Sequence, residues 1–154
     1  MVAGTYDFFC LNTQTKEFYP LSPLRIPAGF PSPADDHREE VLSLSKLLID
    51  HPASTVFAWA EGRSMEGAGI YDGDLLVIDK AKSPQDGDIV IAYINGDWTC
   101  KFYKKQGKAV ALVSASQYYE PIHPRPEDEW LLFGVVTFSV RDLGNRLAHQ
   151  RKGA

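Results

Sequence analysis

The chain lacks a basic surplus, is poor in cysteine and has no long apolar run, and each shortage narrows what it can be. Its formal net charge is −4, with 16 Lys and Arg against 20 Asp and Glu, so it has no general basic surface to neutralise phosphates. Direct sequence-specific nucleic-acid binding is not expected, and contact with DNA would come through a partner. Cys10 and Cys100 are the only cysteines in 154 residues, too few for a disulfide framework and without metal-ligand spacing. A reducing cytoplasm, with no metal and no cofactor, is the expected setting. No stretch reaches the roughly 18 apolar residues of a spanning helix. Met1 to Asp7 has neither the basic start nor the apolar run of a signal peptide, so no membrane association is expected.

Two further absences remove binding sites. His37, His51, His123 and His149 are scattered, with no His-x-x-x-His pair and no cysteine partner, which predicts surface or capping roles. Asp72, Asp74, Asp86 and Asp88 flank glycines without EF-hand spacing, and turn formation accounts for them. Arg141, Arg146, Arg151 and Lys152 make the carboxyl end locally basic, which reads as a solvated tail.

What is present is a chain of one-domain length, able to bury a core without staples. Pro20, Pro23, Pro27, Pro31 and Pro33 remove backbone donors and disfavour helix, so residues 1–35 are predicted to be an extended, mobile arm. Glu39 to Ile49 places apolar residues at 41, 44 and 48, predicting a short amphipathic helix ended by His51-Pro52, its apolar face on the domain. From Thr55 the pattern turns to strands: 55–61, 75–79, 88–94, 98–105, 109–113 and 130–140. Asn95-Gly96 marks a two-residue hairpin, because both central positions of a type I′ turn need positive φ. Period-two alternation then puts Thr99, Lys101 and Tyr103 on one face and Trp98, Cys100 and Phe102 on the other. The fold class predicted is mainly β: partly closed antiparallel sheets with one short helix and an extended N-terminal arm.

Chemistry enters with Gly62-Arg63-Ser64-Met65 and Lys101. A serine hydroxyl is a poor nucleophile until a base takes its proton, and lysine is that base only when its amine is neutral. Lys101 lies in Trp98-Thr99-Cys100-Lys101-Phe102-Tyr103, where burial would penalise the ammonium and lower its pKa. Taken singly, these residues leave other readings open: Ser64 as a turn serine bonded to nearby backbone, Lys101 as an edge-strand lysine reaching water. Glu66 breaks the Gly-x-Ser-x-Gly elbow of α/β hydrolases, and a β-rich chain is the wrong setting for one. Ala28-Gly29, within Ile26-Pro27-Ala28-Gly29-Phe30, is equally open to reading as a plain linker.

Several ordered motifs tip these alternatives together. Ala28-Gly29-Phe30-Pro31-Ser32-Pro33-Ala34, Gly62-Arg63-Ser64-Met65, Tyr71-Asp72-Gly73-Asp74-Leu75-Leu76, Trp98-Thr99-Cys100-Lys101 and Phe133-Gly134-Val135-Val136 run in an order and spacing that resembles the UmuD family. Its members are self-cleaving accessory proteins of the bacterial SOS response, related to the LexA repressor. The resemblance implies a LexA/UmuD-like peptidase fold, with Ser64 as nucleophile, Lys101 as base, and the backbone N–H groups of Arg63 and Ser64 as oxyanion donors. It places the scissile bond at Ala28-Gly29, between small residues that let an extended strand approach the serine. It further implies a homodimer, cleavage promoted by RecA filaments on single-stranded DNA, and a truncated dimer serving a UmuC-like Y-family translesion polymerase.

The implied organisation is a 1–35 arm carrying the cleavage site, a 36–143 peptidase and dimerisation domain, and a polar basic tail over 144–154. Arg63 stands where the family often has aspartate and Cys100 where it often has valine; neither change removes the chemistry, but Arg63 bears on how the cleavage strand or an activator docks. Signal peptidases also use Ser-Lys pairs but are generally membrane-anchored. A repressor needs a helix-turn-helix ahead of the cleavage site, and the 28 residues before Gly29 show no helical periodicity. The remaining rival is a non-catalytic dimeric module of the same fold that regulates a polymerase.

Overall fold

The computed structural model describes residues 19–21, 28–30 and 40–144. Tyr19–Leu21 (β1) pairs antiparallel with Glu40–Leu42 (β2), Tyr19 opposite Leu42. Of the expected arm, β1 and an exposed bend at Ala28–Phe30 lie within the described residues. Arg146, Arg151, Lys152, His37 and His149 lie outside them.

The expected helix over 39–49 is shorter than its pattern suggested. Helix α1 spans only Leu44–Leu48, because pairing with β1 engages the backbone of Glu40–Leu42 and the Ser43 side chain accepts the Lys46 N–H as an N-cap. Its apolar side is covered only in part: Val41 and Leu44 are each more than half exposed, Leu48 is half-buried, and α1 buries no residue fully.

The strand pattern fares better. Thr55–Trp59 (β3), Leu75–Asp79 (β4), Ile89–Ile94 (β5), Asp97–Gln106 (β6), Ala109–Val113 (β7) and Trp130–Val140 (β8) form one six-stranded sheet in the order β3-β4-β8-β5-β6-β7. Every neighbouring pair is antiparallel. Asn95 and Gly96 take φ of 48° and 99°, the geometry that a type I′ turn demands. The sheet has bulges at Val77/Ile78 and Ile91/Ala92, which bend it locally.

β8 is the central strand because its two halves serve different neighbours. Its first half pairs with β5 and its second with β4, so that Val135 faces both Val90 and Asp79. Such a crossing needs a close approach. A Cβ at Gly134 would sit 2.7 Å from Ile78 Cγ2 and 3.0 Å from the Asp79 carbonyl, so only glycine fits.

The two faces of the sheet bury separate clusters, as alternation predicts. Ile91, Ile78, Leu76, Val56 and Met65 form one, with Trp98, Cys100 and Phe102 against it; Val90, Ala92, Leu112 and Val135 form the other, with Tyr103. Lys101 pairs with Val90 and so shares the second face.

One residue assigned to the solvated tail is instead structural. Arg141 donates from Nε and Nη2 to the buried Asp74 carboxylate at 2.8 Å each, and from Nη2 to the Gly69 carbonyl at 2.8 Å. Its guanidinium lies 4.0 Å from the Tyr71 ring centroid. Asp74 also accepts the Tyr71 N–H and the Ser139 hydroxyl. A bidentate carboxylate partner explains why this arginine leaves the basic end.

The Arg141 hydrogen bonds, chiefly, hold the Asp74 carboxyl below the usual carboxylate range despite burial. As pH falls, the unfolded chain therefore takes up this proton before the folded one. The stability from Asp74 is present at neutral pH and is lost below about pH 3.9, toward the folded-state value. Asp74→Asn is expected to lower stability at pH 7 by about 1–3 kcal/mol and to lose less on acidification, read from urea midpoints between pH 7 and 3. Parallel acid limbs would contradict this account.

Candidate active site

Ser64 sits on the loop that leaves β3, and the loop is fixed from several sides. Ala60 exchanges backbone hydrogen bonds with Asp74 and Gly73, at 2.8 and 2.7 Å, and the Gly62 N–H donates to the Asp72 carboxylate at 2.8 Å. Past the serine, Met65 is buried in the first cluster and Glu66–Ala68 form a 3-10 turn. The Ser64 carbonyl accepts the Ala115 N–H at 3.0 Å. The hydroxyl is thus carried on an anchored loop and remains partly exposed.

Lys101 reaches this loop from the middle of β6. Its side chain is largely buried, 9% exposed, and Nζ lies 2.9 Å from Ser64 Oγ and 3.1 Å from the Cys100 carbonyl. Among the described residues no carboxylate forms an ion pair with it. Burial lowers its pKa below the ordinary lysine value of 10.5, with the neighbouring Cys100 as the smaller, opposing influence. That thiol is itself pushed up to about 11 by burial, which keeps it protonated and unreactive at neutral pH. A desolvated amine within hydrogen-bond reach of a hydroxyl is able to accept its proton.

Arg63 carries its guanidinium out to solvent, paired with Glu66 at 2.8 Å. Among the described residues neither the Arg63 nor the Ser64 backbone N–H has an acceptor. Two hollows flank the serine. One, of about 430 Å³, is lined by Ala60, Gly62, Ser64, Trp98, Thr99 and Lys101 among others. The other, of about 870 Å³, is walled by Arg63, Glu66, Gly67, Ala115, Tyr118 and Tyr119 among others.

The structure brings Ser64 and Lys101 together but does not seat Ala28 and Gly29 beside them. Ala28, Gly29 and Phe30 form an exposed bend, with open space around Gly29 and Phe30 94% exposed. Of the aspartates expected in turns, Asp88 accepts the Gln85 N–H within its own turn, whereas Asp86 reaches across to accept the Lys105 N–H of β6. No group of three potential metal ligands occurs among the described residues. His51, expected in a surface or capping role, is exposed at the start of the 3-10 turn Pro52–Ser54, and its Nδ1 lies 2.7 Å from the buried Asp79 carboxylate. Two neighbours of the site escaped the sequence reading. Tyr119 brings its ring centroid within 6.0 Å of Lys101 Nζ, and Ser114 follows β7 as a buried hydroxyl; neither stands in a motif.

Residues 20–137 match the Peptidase S24-like family. Protein SamA of Salmonella typhimurium strain LT2 is 45% identical over 118 residues, covering 77% of this chain and 81% of its own length. Protein ImpA of Escherichia coli is 45% identical over 122 residues, 79% of this chain and 82% of its own. Protein MucA of Escherichia coli is 35% identical over 117 residues, 75% and 80% respectively. The family match runs from β1 into β8 and includes the loop of Ser64 and the strand of Lys101, and on that span the chain belongs to the Peptidase S24-like family, among its UmuD-like members.

Proposed function

We propose that this protein is a cytoplasmic SOS-mutagenesis factor that cuts itself between Ala28 and Gly29 with a Ser64-Lys101 dyad. The observation that carries this reading is the 2.9 Å approach of a buried lysine amine, unpaired by any described carboxylate, to a serine hydroxyl. Lys101 takes the Ser64 proton as Oγ attacks the Ala28 carbonyl, and the backbone N–H groups of Arg63 and Ser64 receive the developing oxyanion. Lys101 then returns the proton to the leaving Gly29 amine. The Ser64–Ala28 ester that remains is hydrolysed by water, regenerating the hydroxyl.

The exposed Ala28–Phe30 bend gives this chemistry a switch. Cleavage waits until the arm over 1–35 lies across the domain over 36–143, and the proposed promoter of that docking is a RecA filament on single-stranded DNA. Removal of residues 1–28 then exposes or reshapes a surface of the homodimer for a UmuC-like Y-family polymerase, an order-disorder transition of a segment. These partners are carried over from the family resemblance; the dyad reading rests on the geometry.

The purified protein, incubated with RecA, single-stranded DNA and ATP, is expected to yield a fragment that begins at Gly29 by mass spectrometry. Ser64→Ala and Lys101→Ala are each expected to slow its appearance by at least about a thousandfold. Cleavage that persists in a folded Ser64→Ala protein would sink the assignment and favour an external protease. No cleavage of the folded wild type would leave a non-catalytic dimer as the better reading.

The pH dependence of unassisted cleavage tests the base. Because burial lowers the Lys101 pKa, the neutral fraction grows as pH rises through a value below 10.5. The rate is expected to climb from pH 7 toward pH 10, with its midpoint below 10.5. A profile flat from pH 7 to 10 would argue against Lys101 as the group that must lose its proton.

A further inference from the structure

The only buried side-chain polar atom without a hydrogen-bond partner among the described residues is Ser114 Oγ. Ser114 is 7% exposed, and a buried hydroxyl left unpaired is costly enough to require an explanation. Its position supplies one. The last paired residues of β6 and β7 are Phe102 and Val113; one step further along the ladder sets Ser114 across from Lys101. Cross-strand partners share a face, so Ser114 joins Lys101 and Val90 on the side of Leu112. The next residue, Ala115, is the one whose N–H holds the Ser64 carbonyl. The orphan hydroxyl therefore belongs to the segment that clamps the serine loop.

The lysine side of the site has a matching deficit. A neutral amine has one lone pair and two N–H groups, and as a base it must aim the lone pair at Ser64 Oγ. One N–H has an acceptor in the Cys100 carbonyl; a second acceptor would stop rotation about the Cε–Nζ bond. We propose that Ser114 is a positioning residue for Lys101: a turn of its side chain lets the hydroxyl accept the remaining N–H, before as well as after the cleavage strand docks, and sets the lone pair on Ser64. After proton transfer the ammonium keeps the same two acceptors and directs its third N–H toward the leaving amine. This inference rests on the Ser-Lys reading and goes beyond it in giving the base a fixed orientation. Of the other titratable groups, the Tyr119 phenol from the segment after β7 faces Nζ, and the Cys100 thiol, directed to the opposite face of β6, acts on it only through its charge.

Two readouts test it, one independent of cleavage. In a Ser64→Ala background, which cannot consume itself, the Lys101 13Cε shift is titrated by NMR with and without Ser114→Ala. An ammonium gains more from a hydroxyl acceptor than a neutral amine does, so removal is expected to move the midpoint roughly half to one pH unit lower. In the Ser64 protein, Ser114→Ala is expected to cut the high-pH plateau rate about tenfold, with Ser114→Thr restoring both values. Identical Lys101 midpoints with and without the Ser114 hydroxyl overturn the assignment, whether or not the wild type cuts. A shifted midpoint in a wild type that never cuts upholds the contact and overturns the peptidase reading instead. A rate loss that Thr fails to rescue, with no midpoint change, marks Ser114 as a packing residue only.

Discussion

The site is organised around a lysine amine taken out of water without a carboxylate to neutralise it. Burial of a charge is unfavourable by several kcal/mol unless it is paired, and proteins usually avoid it by snorkelling the amine to the surface. Lys101 instead stays within the sheet, bonded to a hydroxyl and a backbone carbonyl. Neither acceptor carries a full negative charge, so the environment favours the neutral amine. That preference is what a general base needs at moderate pH, and an ion pair to aspartate or glutamate would cancel it.

Keeping such a side chain in place is the work of the sheet around it. Lys101 occupies a central position on a ten-residue strand with a partner on each side, and the turn at Asn95-Gly96 fixes its register against β5. A slip of one residue would exchange Lys101 with Cys100 and point the amine into the cluster of Met65 and Ile91. The serine loop is braced from behind by a second polar system. Asp72 receives the Gly62 N–H, the Asp74 backbone receives the Ala60 N–H, and Arg141 at the end of the longest strand clamps the Asp74 carboxylate. Arg141 also grips the Gly69 carbonyl just past the 3-10 turn. A cation and a carboxylate far apart in the chain thereby lock both ends of the segment that carries Ser64.

Much of this was legible in the sequence, for identifiable reasons. The strands were, because alternating apolar residues bounded by Asn-Gly and Asp-Gly turns encode a local period and a local stop. The face assignment of Lys101 followed from the same period. α1 was not, because apolar residues at 41, 44 and 48 satisfy a helical pattern without revealing that Glu40–Leu42 has a strand partner twenty residues back. Arg141 was misread because an ion pair across 67 positions leaves no periodic trace, and a terminal arginine in a basic stretch resembles any solvated one. Ser114 stands in no motif that would single it out; its isolation from partners exists only in three dimensions. The meeting of Ser64 with Lys101 was expected from family resemblance, since residue types alone left a turn serine and an edge lysine as fair alternatives.

A self-cleaving enzyme faces a constraint that an enzyme with a separate substrate does not: its substrate is always present at high effective concentration. Control must then come from geometry, because a competent dyad and a nearby scissile bond would otherwise react during synthesis. In this chain the proposed dyad is assembled while the Ala28–Phe30 bend stands in solvent. Under the proposed reading, the barrier to reaction lies in docking the arm rather than in organising the catalytic groups. A partner that favours the docked arm would then act through population, increasing the rate by at most the inverse of the docked fraction at rest. Such a switch needs no rearrangement of the sheet, and so it is compatible with a lysine whose usefulness depends on staying buried.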